Sequence, residues 1–336
     1  MILVTGGTGL VGAHLLYHLS LKNDRVKAIH RKNSDKQAVK NVFSYFSNDF
    51  ESLFNKIEWI ESDITDVFQL ETAFENISEV YHSAALVSFN SSDYHAMSKI
   101  NIEGTSNIVN LCIAKQVKKI CFVSSIATID KSSNTKDINE EDEWNIEKNK
   151  SGYAITKYGA EMEVWRASQE GLNVVIVNPG VILGAGIWRY GSAGLFKKAH
   201  KGMKYYTSGS IGLVDVQDVV SVMILLTKSS IKNERFILIA ENWNYKEFLQ
   251  NMSRSVNTSP PEKMASPLLL QIAWRLDWLN HKLRGKRRQL TRQLVISLSS
   301  DKSYDNTKIK TYIDFEFKKV NDSIIEIGQL YLKQAQ

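Results

Sequence analysis

The feature that most constrains the fold is a glycine-rich segment, TGGTGLVG at residues 5–12, which overlaps the end of the apolar run ILVT at 2–5. It fits two glycine spacings, GxGxxG from Gly7 and TGxxGxxG from Thr5. Between a strand and a helix, such a loop lets backbone N–H groups approach a pyrophosphate, and the helix N-terminus adds partial positive charge. We therefore predict a dinucleotide site, the alternative being a glycine-rich turn in an unrelated α/β protein. The residues predicted to bind the cofactor here are Gly6, Gly9, Leu10, Val11 and Gly12.

Apolar strand-like runs alternate with longer helical patterns through the first 240 residues. Near-continuous apolar strands separated by helices indicate a parallel sheet covered on both faces. The predicted fold class is α/β, a doubly wound parallel sheet of the Rossmann type with a smaller, mostly helical C-terminal lobe. We expect residues 1–179 and 213–240 to form the dinucleotide-binding domain, and 180–212 and 241–336 to form a substrate-binding lobe.

Composition narrows the class of protein further. The chain has 336 residues, of which 43% are hydrophobic, so it can bury a sizeable core and is not disordered along its length. Its two cysteines argue against a disulfide scaffold, and no spacing of His and Cys suggests a metal site. The N-terminus does not read as a signal peptide, and no apolar run is long enough to span a bilayer. We expect a cytoplasmic protein without a metal.

The end of the second predicted strand bears on the choice of cofactor. An NAD site usually places an acidic residue there, on the ribose 2′-hydroxyl. This strand ends instead in His30, Arg31 and Lys32. Because Arg31 is suited to meet a 2′-phosphate with two hydrogen bonds, NADP(H) is favoured and NAD(H) is the alternative. Arg31 has a second interpretation, as a solvated cation at a strand end.

Three polar side chains form a candidate catalytic set. Tyr153 and Lys157 are four residues apart in SGYAITKYGAE, which puts them on one face of a helix. A neighbouring ammonium lowers the pKa of a phenol, so Tyr153 is a candidate to transfer a proton. Ser125 ends the run CFVSS and is placed to hydrogen-bond the reacting oxygen. Ser124 competes for that role and is otherwise predicted to contact the cofactor.

Several motifs in a fixed order resemble the extended short-chain dehydrogenase/reductase family, of the NAD(P)-dependent epimerase/dehydratase type. The resemblance covers about residues 1–240 and is specific because it rests on many motifs together. The motifs are TGGTGLVG at 5–12, SDI at 62–64, YHSAALV at 81–87, NIEGT at 101–105, VSS…YAITK at 123–157, NPGVILGAG at 178–186 and GLVDVQDVV at 212–220.

The resemblance implies roles for matching positions. Asp63 and Ile64 resemble the pair that contacts adenine, and Ser125, Tyr153 and Lys157 match the catalytic set, with Lys157 also holding the nicotinamide ribose. The other residues implied to bind the cofactor are Ser83, Ala84, Ala85, Ser124, Pro179, Gly180, Val181 and Ile182, together with His30 and Arg31. A homodimer through the helices at about 91–116 and 151–170 is also implied. Asn101 in NIEGT has an alternative role, that of bonding backbone only.

Within the family, the sequence is more similar to the dihydroflavonol-reductase and 3β-hydroxysteroid-dehydrogenase branches. This implies hydride transfer between a nicotinamide and a carbonyl or secondary alcohol of a small, apolar or aromatic substrate. One alternative is an NAD-dependent epimerase or dehydratase of a nucleotide-linked sugar, although Arg189 is the only arginine in 180–212. Another is a non-catalytic regulator that senses NADP(H). We expect no nucleic-acid partner, because no recognised nucleic-acid module is present.

Aromatic and apolar residues in three segments are candidates to line the substrate cleft, the alternative being ordinary packing within the lobe. They are Phe89, Ile187, Trp188, Tyr190, Tyr205 and Tyr206.

The net charge of +6 is concentrated in one segment. Between Asp277 and Asp301 there is no acidic residue, but there are six cations: Lys282, Arg284, Lys286, Arg287, Arg288 and Arg292. Trp274, Trp278, Leu279 and Leu283 are spaced for one face of a helix. The favoured interpretation is an amphipathic helix packed on the substrate lobe with a solvated basic end. Peripheral contact of residues 267–292 with an anionic membrane is the alternative.

Overall fold

The computed structural model describes residues 1–131, 136–148, 150–188, 191–285, 288 and 290–335. The strands of these residues, in chain order, are β1 (Ile2–Thr5), β2 (Val26–His30), β3 (Ile57–Glu61), β4 (Glu79–His82), β5 (Lys119–Val123), β6 (Asn173–Pro179), β7 (Val181–Leu183), β8 (Tyr205–Tyr206), β9 (Ser210–Asp215), β10 (Glu234–Leu238), β11 (Glu241–Asn244) and β12 (Lys263–Met264).

The α-helices are α1 (Leu10–Lys22), α2 (Lys36–Ser44), α3 (Phe50–Asn55), α4 (Val67–Ala73), α5 (Tyr94–Met97), α6 (Gly104–Ala114), α7 (Gly152–Gln169), α8 (Ala193–His200), α9 (Val216–Lys228), α10 (Tyr245–Ser255), α11 (Pro267–Arg284), α12 (Arg292–Ser299), α13 (Thr307–Tyr312) and α14 (Val320–Ala335). Short 3₁₀ segments lie at Ser91–Asp93 and Ile126–Thr128, and a π-helical segment, Ser98–Glu103, joins α5 to α6.

The central sheet of the described chain has the strand order β10-β6-β5-β4-β1-β2-β3, and its neighbouring strands are parallel. The order reverses between β1 and β4, where Val4 lies opposite Tyr81. Helices cover both faces: Leu16 of α1 and Val219 of α9 belong to one apolar core, and Ile108 of α6 and Val164 of α7 belong to the other. The predicted doubly wound α/β fold is confirmed. Its ligand-binding edge is therefore the carboxyl ends of the strands beside the switch point.

Side-chain caps fix where the helices nearest this edge begin. The hydroxyl of Ser151 accepts a hydrogen bond from the Ala154 N–H, 3.1 Å away, which starts α7 one residue before Tyr153. Asp215, the last residue of β9, similarly caps α9 through the Gln217 N–H at 2.8 Å. Strand-to-helix junctions of this kind set the position of the side chains in the first helical turn.

A second layer forms beyond residue 180. Strand β9 pairs in parallel with β7 and antiparallel with β11. A separate apolar cluster joins this small sheet to α8, α10 and α14. It includes Phe196, Leu213, Phe248 and Ile324, all fully buried. Since β9 runs from 210 to 215, it crosses the predicted boundary between residues 212 and 213; the division into two domains stays a prediction.

The described part of the basic segment contains two helices, α11 and α12. Helix α11 ends at Arg284, and the next residue, Gly285, has a left-handed φ of +63° that suits a glycine C-cap. Its inward side contributes Leu270 and Trp274 to a small cluster with Val295 of α12. The favoured interpretation of the sequence, with the apolar face packed on the lobe, is wrong for most of that face, because Trp278, Leu279 and Leu283 are exposed. Lys286 and Arg287 lie outside the described residues.

Within the described part of the chain, none of the helices combines the length and apolar character that crossing a membrane requires.

Candidate active site

The glycine-rich loop is a tight backbone turn at the switch point. Gly6 has a φ of +72°, and a Cβ there would lie 2.6 Å from the Ala84 nitrogen. A Cβ on Gly12 would lie 2.2 Å from the Gly6 carbonyl oxygen. At the N-cap of α1, Gly9 donates to that same oxygen at 2.9 Å and has no side chain to accept from the first-turn N–H groups. Those N–H groups and the helix dipole fit the pyrophosphate of a dinucleotide.

Thr5 ties the segment after β4 to this loop. Its hydroxyl lies 2.6 Å from Nδ1 of His82 and accepts from the Ala84 N–H at 3.3 Å. The Ser83 hydroxyl donates to the Thr5 carbonyl oxygen at 2.8 Å. The predicted segment Ser83, Ala84 and Ala85 therefore begins directly against the phosphate loop.

The segment at the end of β6, which the family resemblance implies binds the cofactor, packs against the start of α1. Leu10, Val11 and Ile182 pack against the same apolar core, and a Cβ on Gly184 would lie 2.9 Å from Cδ1 of Leu10. A Cβ on Gly180 would lie 2.4 Å from the Gly212 carbonyl oxygen. Val181 and Ile182 are half-buried, whereas Pro179 is buried.

Arg31 lies at the carboxyl end of β2, on the surface. Its N–H donates to the Ser34 hydroxyl at 3.0 Å, and the Ser34 N–H donates back to the Arg31 carbonyl at 2.9 Å. His30 lies 3.1 Å from that carbonyl through Nδ1. This turn fixes the backbone of Arg31 and leaves its guanidinium exposed at the edge.

Asp63 and Ile64 follow β3 at the same edge. One carboxylate oxygen of Asp63 accepts from the Thr65 N–H at 2.9 Å and from the Thr65 hydroxyl at 2.8 Å. Ile64 is buried, and its side chain would lie 2.6 Å from a Cβ on Gly104. The packing of Ile64 on α6 holds the predicted adenine pair in place.

Ser125 and Tyr153 are brought together by the end of β5 and the first turn of α7. A hydrogen bond from Ser125 to the phenol partly offsets the effect of burial, which raises the pKa of Tyr153 above its usual value of 10.0. The lowered pKa expected from the sequence is therefore not a property of the protein alone, because desolvation outweighs the neighbouring groups. In the resting chain Tyr153 is a neutral phenol at physiological pH.

Lys157 lies one helical turn further along α7 and is only 2% exposed. Its Nζ donates to the Val123 carbonyl oxygen at 2.8 Å and lies 4.3 Å from the centre of the Phe122 ring. Burial lowers the pKa of Lys157 to about 7, and the charge of Glu161 partly opposes this shift. Its proton is therefore held weakly at neutral pH.

A buried carboxylate, Glu161, organises the polar groups behind the site, a role that the sequence analysis missed. Its Oε2 accepts from the hydroxyls of Ser124 at 2.5 Å and Thr128 at 2.8 Å, and from Asn178 Nδ2 at 3.0 Å. Arg235 approaches its other oxygen at 3.4 Å. The Ser124 hydroxyl thus has a partner within the protein, and its predicted contact with the cofactor stays a prediction. The spacing of Glu161, four residues after Lys157, was the available signal.

His82 is a second buried group that the sequence analysis did not single out. Its two ring nitrogens lie within hydrogen-bond distance of the hydroxyls of Thr5 and Thr105, at 2.6 and 2.9 Å. Burial, together with the charge of Lys157, lowers the pKa of His82 to about 3, so the ring is neutral. It links the phosphate loop, through Thr5, to α6.

Asn101 is 1% exposed and does more than bond backbone. Its side chain accepts from the Leu86 N–H at 2.7 Å and donates to the Leu86 carbonyl at 3.0 Å. Nδ2 also lies 3.1 Å from the Thr156 hydroxyl, between Tyr153 and Lys157 on α7. Asn101 therefore connects the loop that contains Leu86 to the catalytic helix α7.

The residues predicted to line the substrate cleft lie in different parts of the structure. Phe89 faces Tyr153, with ring centres 6.2 Å apart, and is 40% exposed. Trp188 packs against Tyr331 and Phe196 instead, as the alternative interpretation expected. Tyr205 and Tyr206 lie on β8, paired with β12, and Ile187 is half-buried. Tyr190 and Arg189 lie outside the described residues.

Comparison with known proteins agrees with this geometry. The family model described as "Male sterility protein", an NAD-binding family, matches residues 4–224. The chain belongs to this family. It is thereby an extended short-chain dehydrogenase/reductase of the epimerase/dehydratase type, and the predicted family is confirmed. Members are enzymes that bind NAD(P), so the chain is classed as an NAD(P)-binding enzyme.

Proteins similar to this chain include a sterol demethylase protein, a reductase and, in fold, an epimerase. The chain is 27% identical to sterol demethylase protein B of Methylococcus capsulatus, with 85% of this chain and 84% of that protein covered. It is 27% identical to a putative dihydroflavonol 4-reductase of Synechocystis, with 83% and 78% covered. The crystal structure of UDP-glucose 4-epimerase from Thermotoga maritima has a TM-score of 0.78 and 20% identity, with 100% and 99% covered, a likeness of fold.

Proposed function

We propose that this protein is an NADP(H)-dependent reductase of a small, apolar or aromatic carbonyl compound, acting also in reverse on the secondary alcohol. The observation that carries the proposal is the contact of Ser125 with Tyr153, with Lys157 buried one turn away. The names of two relatives, a sterol demethylase protein and a dihydroflavonol reductase, support an apolar ring substrate.

The protonation state of Tyr153 suits proton donation to a carbonyl oxygen. When bound, the cofactor supplies or accepts the hydride at its nicotinamide ring. The raised pKa of Tyr153 keeps its proton available for the oxygen of a carbonyl that becomes an alcohol. The Ser125 hydroxyl lies beside the phenol and orients the same oxygen. Lys157 holds the nicotinamide ribose, and its charge supports the phenolate left behind.

A substrate of apolar character suits the wall next to the phenol. Phe89 is the exposed ring that faces Tyr153, and its position allows it to stack on a flat substrate. Val87, in the same loop, is also exposed. Neither residue offers a charge to a diphosphate, which favours the reductase over the nucleotide-sugar epimerase.

The preference for NADP(H) rests on Arg31. Its exposed guanidinium at the end of β2 supports recognition of a 2′-phosphate, and β2 itself ends without an acid. In the variant Arg31→Asp, we expect the ratio of kcat/KM for NADPH to that for NADH to fall at least tenfold. An unchanged ratio would remove Arg31 from this role.

The test of the chemistry is Tyr153→Phe, assayed with a panel of aryl and alicyclic ketones and both cofactors. Loss of a general acid lowers turnover by about 10²- to 10⁴-fold. The matched control is Tyr158→Phe on the same helix, because Tyr158 stacks on Trp144 at 4.4 Å and is not in the catalytic set. Near-normal turnover in Tyr153→Phe refutes the mechanism. NAD that stays bound through purification, with no response to added NADPH, points to the epimerase instead.

A further inference from the structure

Helix α11 presents an apolar stripe to the outside of the molecule. Five aliphatic residues recur at intervals of four, four, three and four along its 18 residues, which places them on one face. Each is between 43% and 73% exposed. We call this set the outer stripe; it consists of Leu268, Ile272, Leu276, Leu279 and Leu283. Apolar side chains scattered singly on a surface are ordinary, but an aligned row along a whole helix is not.

The opposite side of α11 holds the helix on the protein. Leu270 is buried and Trp274 half-buried against Val295 of α12. Asp277, on the same inward side, accepts from the Leu290 N–H at 3.2 Å. The helix is therefore anchored through its inner face, and the orientation of the outer stripe is set by that packing.

Cations flank the outer stripe. Arg275 and Lys282 are exposed on one edge of it, and Arg284 is exposed at the C-terminal end. Arg275 lies 4.6 Å from the centre of the Trp274 ring, and Lys282 lies 5.4 Å from that of Trp278. Asp277, the one acidic residue in the α11 sequence, faces inward. The outward surface of the helix is thus apolar and cationic, without a carboxylate of its own.

Two partners could cover the outer stripe, a second copy of the chain or a lipid bilayer, and the flanking charges distinguish them. A second copy of the chain would bring cations of one outer surface near those of the other, with no acid from α11 between them. A bilayer with anionic headgroups accepts the aliphatic side chains and supplies the opposite charge to the flanking cations. We propose that α11 is an interfacial helix that docks this protein on an anionic membrane surface, lying parallel to the bilayer with the outer stripe among the acyl chains.

Helix α12, which packs on the inner side of α11, contacts the segment that leads into the catalytic helix α7. Gln293 of α12 donates to the Lys150 carbonyl oxygen at 3.2 Å, and Lys150 directly precedes the N-cap of α7. The membrane proposal does not rest on the proposed reaction, because vesicle binding is measured without turnover.

The test is cosedimentation of the full chain with phosphatidylcholine vesicles, prepared with and without phosphatidylserine. We expect binding to the anionic vesicles that weakens at high salt. Substitution of Arg275→Gln with Lys282→Gln is expected to lower the partition coefficient about twenty-fivefold, because each cation contributes about fivefold. The double variant Ile272→Gln, Leu276→Gln is expected to lower it about tenfold or more on both vesicle types.

Two matched controls distinguish binding through the outer stripe from non-specific hydrophobic or electrostatic binding by other parts of the surface. Phe68→Gln with Ile146→Gln removes exposed apolar side chains elsewhere, and Lys115→Gln with Lys118→Gln removes exposed cations elsewhere. Both are expected to bind as the unaltered chain does. Equal losses in controls and outer-stripe variants refute the proposal, as does absence of binding by the folded chain. Light scattering that shows a dimer abolished by Ile272→Gln, Leu276→Gln would assign the face to a second copy instead.

Discussion

Replacement of Lys157 by Met should stabilise the protein while abolishing its activity. The ammonium is almost fully buried, and burial lowers its pKa from 10.5 to about 7. At 1.36 kcal/mol per pKa unit, burying the charged form of Lys157 destabilises the folded state by up to about 5 kcal/mol. This destabilisation is at its full value below about pH 7, where the buried amine is protonated. Met fills a similar volume beside the Phe122 ring but leaves the Val123 carbonyl without its donor, which costs about 1–3 kcal/mol. A net gain of about 2 kcal/mol near pH 7 is expected.

The stability difference between wild type and Lys157→Met should depend on pH. Between about pH 7 and 10.5 the unfolded chain binds more protons at Lys157 than the folded chain, so wild-type stability rises with pH through this window. The advantage of Lys157→Met should shrink by about 2 kcal/mol between about pH 7 and pH 9. His82, with its pKa lowered to about 3, stays neutral throughout and does not contribute.

Urea unfolding at several pH values, followed by circular dichroism, measures this difference directly. Lys115→Met is the control for the loss of a lysine, because Lys115 is exposed. If the stability curves of wild type and Lys157→Met run parallel from pH 7 to pH 9, burial of the ammonium does not hold its pKa down and the reasoning fails.

Three further changes test the framework of the site. Gly12→Ala puts a Cβ 2.2 Å from the Gly6 oxygen and should abolish cofactor binding in fluorescence titration; cofactor binding retained by this variant would refute the close approach. Glu161→Gln replaces a buried acceptor of several donors and should lower the unfolding free energy by about 3–5 kcal/mol in urea; a loss below about 1 kcal/mol would contradict the role of Glu161 as their shared acceptor. Asn101→Ala removes three hydrogen bonds and should lower kcat through a displaced α7, while Tm falls by several degrees; unchanged kinetics would refute a positioning role.

The glycine loop and the period of the apolar runs determined the fold from the sequence. Both are local signals: a loop that needs glycine at fixed spacing, and strands buried on both faces, leave few topologies open. The pairing of Tyr153 with Lys157 is local as well, because a helix brings residues four apart onto one face. The same four-residue spacing places Glu161 on the face of α7 that carries Lys157, but nothing in the sequence identifies the hydrogen-bond partners of Glu161.

Only the tertiary structure decided properties that depend on what surrounds a side chain. Burial raises the pKa of Tyr153, which the sequence had suggested would be lowered. The structure also showed that Glu161 and His82 are buried and hydrogen-bond to residues distant in sequence. It also showed that most of the apolar face of α11 is exposed, where the sequence favoured packing on the lobe. An amphipathic sequence specifies that a helix has an apolar face, but the direction of that face depends on which side the rest of the chain covers. Here α12 covers the narrow inner side, and the broad outer stripe is left facing outward.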